Sequence, residues 1–194
     1  MSEGHAIRAF LAIAPPPEVH EEMARIQNRL QRTVQGPIRW VRTDGIHLTL
    51  KFFGDIAAGD IGPLSAAIEK GIRGVAPFSL EVSGLGVFPD ARRPRVLWLG
   101  TVGDTERLAA AVRNLDRGFA DLGVAREERP FQAHWTLARI KSPQGLVGVA
   151  RALEMEKETR AGAFTAGALI LFQSELRPQG AVYTKLAEYV LTAS

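Results

Sequence analysis

Two of the four histidines in this 194-residue chain occupy the same short pattern. His47-Leu48-Thr49-Leu50 returns as His134-Trp135-Thr136-Leu137. A repeat of that kind arises by chance in roughly one chain in several thousand of ordinary composition. Side chains alternate along a β-strand, so His47 and Thr49 share one face while Leu48 and Leu50 share the other. The same parity separates His134 and Thr136 from Trp135 and Leu137. Each strand anchors itself in a core through its apolar pair and offers an imidazole and a hydroxyl on the opposite side. Two such strands facing each other gather two imidazoles and two hydroxyls around a small volume, each half of the chain contributing one set.

That set has a definite chemistry. An imidazole ionises near pH 6.5, so around neutrality one ring can accept a proton while the other gives one. Threonine hydroxyls donate hydrogen bonds to phosphate oxygens without adding charge. A singly charged phosphodiester suits two such donors beside a protonated histidine. Neither motif carries a carboxylate or a third histidine, so the pattern supplies no metal-ligand set, and no cofactor is expected. A single His-x-Thr is more often a satisfied polar pair at a sheet edge; two copies in matching contexts point to a site.

Other candidates depend on strand geometry. Lys51 and Phe53 share the face of His47 if the strand runs straight, where they could meet phosphate or stack on a base. Arg139 falls opposite His134 unless the strand twists or bulges. Arg92, Arg93 and Arg95 read as an exposed basic loop, His5 and His20 as surface residues. Gly84-x-Gly86 is too short to read as a dinucleotide loop.

The elements that position these residues follow from hydrophobic period and breakers. Strands are expected at Arg8 to Ala14, Ile38 to Val41, His47 to Phe53 (closed by Gly54), Phe78 to Val87, Val96 to Val102 and Ala133 to Ile140, then at Phe164 to Leu176 and Val182 to Leu191. Helices are expected at Pro17 to Val34, Gly62 to Arg73, Thr105 to Leu122 and Leu146 to Glu158. Short turns between strands predict an α+β fold with mostly antiparallel sheet. Each His-x-Thr-Leu strand follows a helix and a loop and precedes another helix, which supports an internal duplication.

Composition narrows the class. A net charge of +3 is compatible with a phosphate-bearing ligand, and the absence of cysteine excludes disulfides, thiolate metal sites and a cysteine nucleophile. The longest apolar run near the start, Ala9 to Ala14, is too short to cross a bilayer. A cytoplasmic protein without membrane attachment is expected.

Taken together, these residues resemble the two-histidine (2H) phosphoesterases, and within them the RNA 2′,3′-cyclic phosphodiesterases also called 2′-5′ RNA ligases. The similarity lies in Arg8 to Ile13, Trp40 to Gly54, Pro94 to Gly100, His134 to Arg139 and Leu171 to Leu176, and so spans nearly the full length. It departs from the family pattern at Ala133, where proline is common, and at Trp135, where a smaller aliphatic residue is usual. The resemblance implies one domain over 1–194 built of two intertwined, pseudo-symmetric lobes, with two antiparallel sheets facing a cleft and helices outside. It implies metal-independent hydrolysis of an RNA terminal 2′,3′-cyclic phosphate to a 2′-phosphomonoester, with 2′-5′ ligation as the reverse step. His47 would be the proton donor and His134 the acceptor, with Thr49 and Thr136 on the phosphate oxygens. Expected partners are RNA ends or nucleotides carrying the cyclic phosphate, and the expected state is a monomer. The alternatives are an RNA-end-binding module that does not cleave, a phosphodiesterase of small cyclic nucleotides, and a metallohydrolase using both histidines as ligands.

Overall fold

The computed structural model describes residues 6–127, 129–178 and 180–193, so His5 lies outside it. The apolar run after Ala6 forms strand β1 (Ala6–Ile13). Helix α1 (Pro17–Thr33) starts with proline in its first turn, where the missing N–H costs nothing, and buries Val19, Met23, Ile26, Gln27 and Leu30 at helical spacing. Strands β2 (Ile38–Trp40) and β3 (Leu48–Ala57) follow, then helix α2 (Ile61–Gly71). The second part runs β4 (Phe78–Phe88), β5 (Val96–Gly103), α3 (Thr105–Ala120), β6 (His134–Ile140), α4 (Val149–Met155) and β7 (Arg160–Ala166). A hairpin of β8 (Ala168–Arg177) and β9 (Gly180–Val190) closes the chain.

Among the described residues the strands pair antiparallel in the order β7-β4-β5-β6-β3-β1-β8-β9, with β2 on β6. The fold is thus the expected α+β antiparallel arrangement, with five strands (β7, β4, β5, β6 and β2) in one half and four (β3, β1, β8 and β9) in the other. They meet through one register pair, Leu48 opposite Trp135. The chain builds β1 and β3 of one half, completes the other, then returns to the first with β8 and β9. The helices cross over as well: α1 packs on β7 and α4, whereas α2 packs on α3 and β9. One continuous apolar core lies between helices and sheet, including Leu11, Leu48, Leu97, Leu99, Trp135 and Leu137 at 0% exposure.

Three expectations change. Strand β3 does not stop at Gly54; that residue takes φ +71° at a register shift and the strand continues to Ala57. The predicted strand Phe164 to Leu176 is two strands, β7 and β8, separated only by Gly167, a break that alternation alone does not reveal. Helix α4 is shorter than predicted because Gly148, at φ +84°, precedes it; a Cβ there would lie 1.8 Å from the Thr33 carbonyl. Only glycine lets the chain pass so close to the end of α1.

The bonding of α1 to the sheet runs through Gln27, 1% exposed. Its Nε2 donates to the Val41 carbonyl (2.9 Å) and the Leu137 carbonyl (3.0 Å). The Leu137 carbonyl also accepts from the Val41 N–H at 2.8 Å. Gln27 therefore ties β2 and the second His-x-Thr-Leu strand to one helix. Replacing Gln27 with Met keeps most of the volume but leaves both carbonyls short of a donor in the core. The expected loss is about 1–3 kcal/mol of unfolding free energy, read from denaturant midpoints at unchanged slope.

Candidate active site

The local reason for the site is a matched pair of β-bulges. In the β1–β3 ladder, Ala12 faces Thr49 and Leu11 faces Lys51, so Leu50 is the extra residue. In the β5–β6 ladder, Trp98 faces Thr136 and Leu97 faces Ala138, so Leu137 is the extra residue. The last residue of each His-x-Thr-Leu motif is thus the bulge, and parity inverts after it. Ahead of the bulges, alternation holds: His47, Thr49, His134 and Thr136 are half-buried on the cleft face, while Leu48, Leu50, Trp135 and Leu137 are buried behind. Trp135 Nε1 donates to Thr101 Oγ1 at 3.0 Å within that buried layer.

The inversion changes the secondary candidates. Lys51 is not on the cleft face. It is 4% exposed, with Nζ 2.9 Å from Asp116 Oδ1 of α3 and 2.8 Å from the Ala125 carbonyl. Phe53 also turns back, packing edge-on against Phe119 of α3 at 5.0 Å between ring centroids. Phe52 takes the place expected of them: it is 47% exposed and lies 5.7 Å from the Phe10 ring. In the other half the same inversion turns Arg139, exposed, onto the cleft face. Phe52 and Arg139 are therefore counterparts, two residues beyond each bulging leucine.

Each histidine is held in the same way. His47 Nδ1 lies 2.8 Å from the Gly45 carbonyl, and His134 Nδ1 lies 2.8 Å from the Gln132 carbonyl. A carbonyl only accepts, so both Nδ1 atoms carry the proton and both Nε2 atoms remain for the cleft. The His47 ring stacks on Phe10 (4.5 Å, 25°) and meets Tyr183 edge-on at 5.1 Å. The His134 ring meets Phe88 edge-on at 4.9 Å and Trp98 at 6.3 Å. A Cβ on Gly86 would lie 2.2 Å from the Trp98 ring, so glycine is required for that ring to lie against β4. The Gly45 turn is anchored from α1 by His20, half-buried rather than a free surface residue, whose Nε2 is 2.6 Å from the Thr43 carbonyl.

The single β3–β6 pair arranges the four polar residues. Continuing the antiparallel register of Leu48 and Trp135 by one residue each way sets His47 opposite Thr136 and His134 opposite Thr49. By that register each imidazole takes the position opposite the other half's threonine. Among the described residues no three His, Asp or Glu side chains gather as a metal-ligand group.

Electrostatics favours neutral rings in the free protein. Burial pulls His47 down to about 4 from 6.5, against the Gly45 carbonyl, with Arg139 and His134 adding to the fall. Burial likewise lowers His134, against the Gln132 carbonyl and with help from Arg139. An anion between the rings reverses the effect of Arg139 and favours the protonated forms.

The other sequence candidates stay outside this group. Arg92 and Arg93 sit exposed on a turn capped by Asp90, and Arg95 spends a donor on the Lys141 carbonyl at 2.9 Å. Sequence parity missed Phe52, Phe10, Phe88, Trp98 and Tyr183. The only available signal was the aromatic density around both motifs.

A family model described as LigT-like phosphoesterase matches the chain twice, over residues 13–98 and again over 100–183, one His-x-Thr-Leu motif in each. The chain belongs to this family. Its relatives include the RNA 2′,3′-cyclic phosphodiesterase of Methanothermobacter thermautotrophicus, 32% identical over 185 residues that cover 95% of this chain and 99% of that protein. Among solved structures it is similar to TT0787 of Thermus thermophilus (TM-score 0.79, 27% identity, 96% of this chain and 99% of that one). It is also similar to E. coli LigT complexed with 3′-AMP (TM-score 0.78, 26% identity, 97% and 99%). This LigT-like phosphoesterase is an enzyme. No helix among its described residues is long and apolar enough to cross a membrane.

The depressed His47 makes the free enzyme sensitive to acid. Between pH 4 and 6.5 the unfolded chain binds more protons than the folded one, so stability rises with pH across that window and is lost as pH falls through it. The loss is about 3 kcal/mol, and His47→Gln should flatten the profile. Proton NMR of the free enzyme should show the His47 ring titrating near 4; titration at 6.5 would refute the buried, neutral ring.

Proposed function

We propose that this phosphoesterase hydrolyses the 2′,3′-cyclic phosphate at RNA 3′ ends to a 2′-phosphomonoester, without a metal ion. The observation that carries this reading is the pair of imidazoles, each with Nδ1 bonded to a backbone carbonyl two residues back, on the two strands that meet at the Leu48–Trp135 pair. Two rings that differ only in protonation can remove a proton from water and deliver one to a leaving oxygen in a single turnover. Relatives named RNA 2′,3′-cyclic phosphodiesterase and a LigT structure holding 3′-AMP support the substrate class.

In this scheme Thr49 and Thr136 donate to the non-bridging oxygens. His134 Nε2 takes the proton of a water whose oxygen attacks phosphorus, the P–O3′ bond breaks, and protonated His47 gives its Nε2 proton to O3′. The donor and acceptor roles follow the family resemblance. The low basicity of His47 is consistent with a donor that charges only when the phosphate is bound, which couples binding to proton uptake. Arg139 holds the added negative charge of the transition state. By microscopic reversibility the same groups serve 2′-5′ end joining. Phe52, exposed on the cleft face, offers the terminal base a stacking surface.

Two outcomes test the scheme. His47→Ala and His134→Ala should each lower turnover of a 2′,3′-cyclic phosphate by at least about a hundredfold, with full wild-type activity in EDTA. Unchanged turnover in either variant, or loss of activity restored by zinc, would sink it. Phe52→Ala should raise KM by about five- to a hundredfold, the range of one base stack, with kcat little changed.

A further inference from the structure

His134 stands beside an aromatic floor larger than a water molecule needs. Trp98 is paired with Thr136 and so lies on the cleft face, while Leu97 and Leu99 on either side of it are buried. Its indole lies over Gly86, the directly paired residue of β4, and reaches toward Gly100, where a Cβ would lie 3.4 Å from the ring. Gly100 is in turn the residue paired with His134. Two glycines thus let one indole lie across neighbouring strands next to the imidazole. Phe88 extends the floor, its ring tilted by 35° at 4.9 Å from Trp98. Trp98 Nε1 is buried without a hydrogen-bond partner among the described residues. A phenyl ring in its place would avoid that cost, so what the indole supplies is its larger face.

A cavity of about 500 Å³ opens from this floor, the size of a small-ligand site. It is bounded by Trp98, Gly100 and Val102 of β5, by Glu106 and Ala109 of α3, and by Gln132, whose carbonyl holds His134 Nδ1. The space arises because β6 begins at His134 whereas β5 runs on to Gly103, beyond the last β5–β6 pair. Charge separates this cavity from the Arg139 end of the cleft. Among the described residues Glu106 is its only charged lining group, so it repels phosphate and suits an uncharged molecule.

In-line displacement decides which uncharged molecule. The attacking and leaving oxygens lie on opposite sides of phosphorus. With His47 on the departing O3′ and His134 on the attacking oxygen, whatever carries that oxygen stands on the His134 side. Water occupies only the point of attack and leaves the floor and the cavity uncovered. A nucleoside with a free 5′-hydroxyl is uncharged, presents its oxygen in place of water, and has a base that stacks on an indole.

We propose that the Trp98 cavity is an acceptor site, which binds a 5′-hydroxyl nucleoside in place of the attacking water. The proposal rests on the phosphodiesterase reading above and gives the acceptor its place in end joining. His134 Nε2 takes the 5′-hydroxyl proton and the 5′ oxygen bonds to phosphorus. The P–O3′ bond breaks, His47 gives its proton to O3′, and a 2′-5′ phosphodiester remains.

The test supplies adenosine 2′,3′-cyclic monophosphate with adenosine as acceptor, and measures the 2′-5′-linked dinucleoside monophosphate against 2′-AMP. Val102→Met with Ala109→Leu fills the cavity from two walls outside both His-x-Thr-Leu strands. This variant should lower the adenosine-to-water product ratio about tenfold, the loss of one base stack, with hydrolysis at its wild-type rate. Transfer to methanol, too small to need the cavity, should keep its wild-type ratio to water. An unchanged adenosine ratio, or an equal fall with methanol, overturns the acceptor site. So does a wild-type enzyme that hydrolyses without forming the 2′-5′ product. A raised KM for hydrolysis in the variant overturns it as well, since the cavity then holds the cyclic nucleotide's own base. Wild-type enzyme inert on the cyclic phosphate overturns the phosphodiesterase reading instead. Equilibrium dialysis of adenosine then judges the cavity: tenfold weaker binding by the double variant supports it, and equal binding overturns it.

Discussion

The site depends on one point of contact between two half-sheets, the pairing of Leu48 with Trp135. Both residues are fully buried, and the polar residues on either side of them are those that face the cleft. A side chain's direction in a strand is set by parity, so fixing this single register fixes His47 against Thr136 and His134 against Thr49. A slip by one residue would bury the imidazoles and expose the leucine and tryptophan. The apolar core on the helix side therefore enforces the catalytic geometry: the free energy of burying Leu48, Leu50, Trp135 and Leu137 opposes any other register.

The bulges at Leu50 and Leu137 then divide the cleft. Without them, Lys51 and Phe53 would follow Thr49 onto the cleft face, and Ala138 would follow Thr136. With them, the face receives Phe52 on one side and Arg139 on the other. The two halves carry the same motif and the same bulge; a difference of residue type at equivalent positions leaves one end aromatic and the other cationic. The bulges also expose backbone groups that need partners, and Gln27 of α1 supplies one for Leu137 from a helix that follows the opposite half-sheet. The crossing of helices between halves is thus part of what holds the site.

Charge is distributed with the same logic. Lys51, buried, is neutralised by Asp116 of α3 at 2.9 Å, and its bond to the Ala125 carbonyl fastens the segment that follows α3 beside Phe52. A buried ammonium without that partner would cost several kcal/mol. Arg139 keeps its charge exposed on the cleft face. The histidines lie between these extremes, desolvated enough to favour the neutral ring and near enough to Arg139 to feel its charge.

The amino-acid sequence alone determined the candidate site's residues: the repeated His-x-Thr-Leu, its apolar and polar alternation, the α+β class and most element positions follow from local period and residue type. Family resemblance added the reaction. What only the tertiary structure decided is which residues beyond Thr49 and Thr136 reach the cleft. A bulge adds one residue to one strand relative to its neighbour, and nothing within the strand's own alternation records where the neighbour's register shifts. Straight-strand parity therefore puts Lys51, Phe53 and Arg139 on the wrong faces, while Phe52 and Gln27 are invisible to it. The pairing of β2 with β6, which sets Arg39 opposite Arg139, is likewise a contact between residues 100 positions apart that no local pattern records.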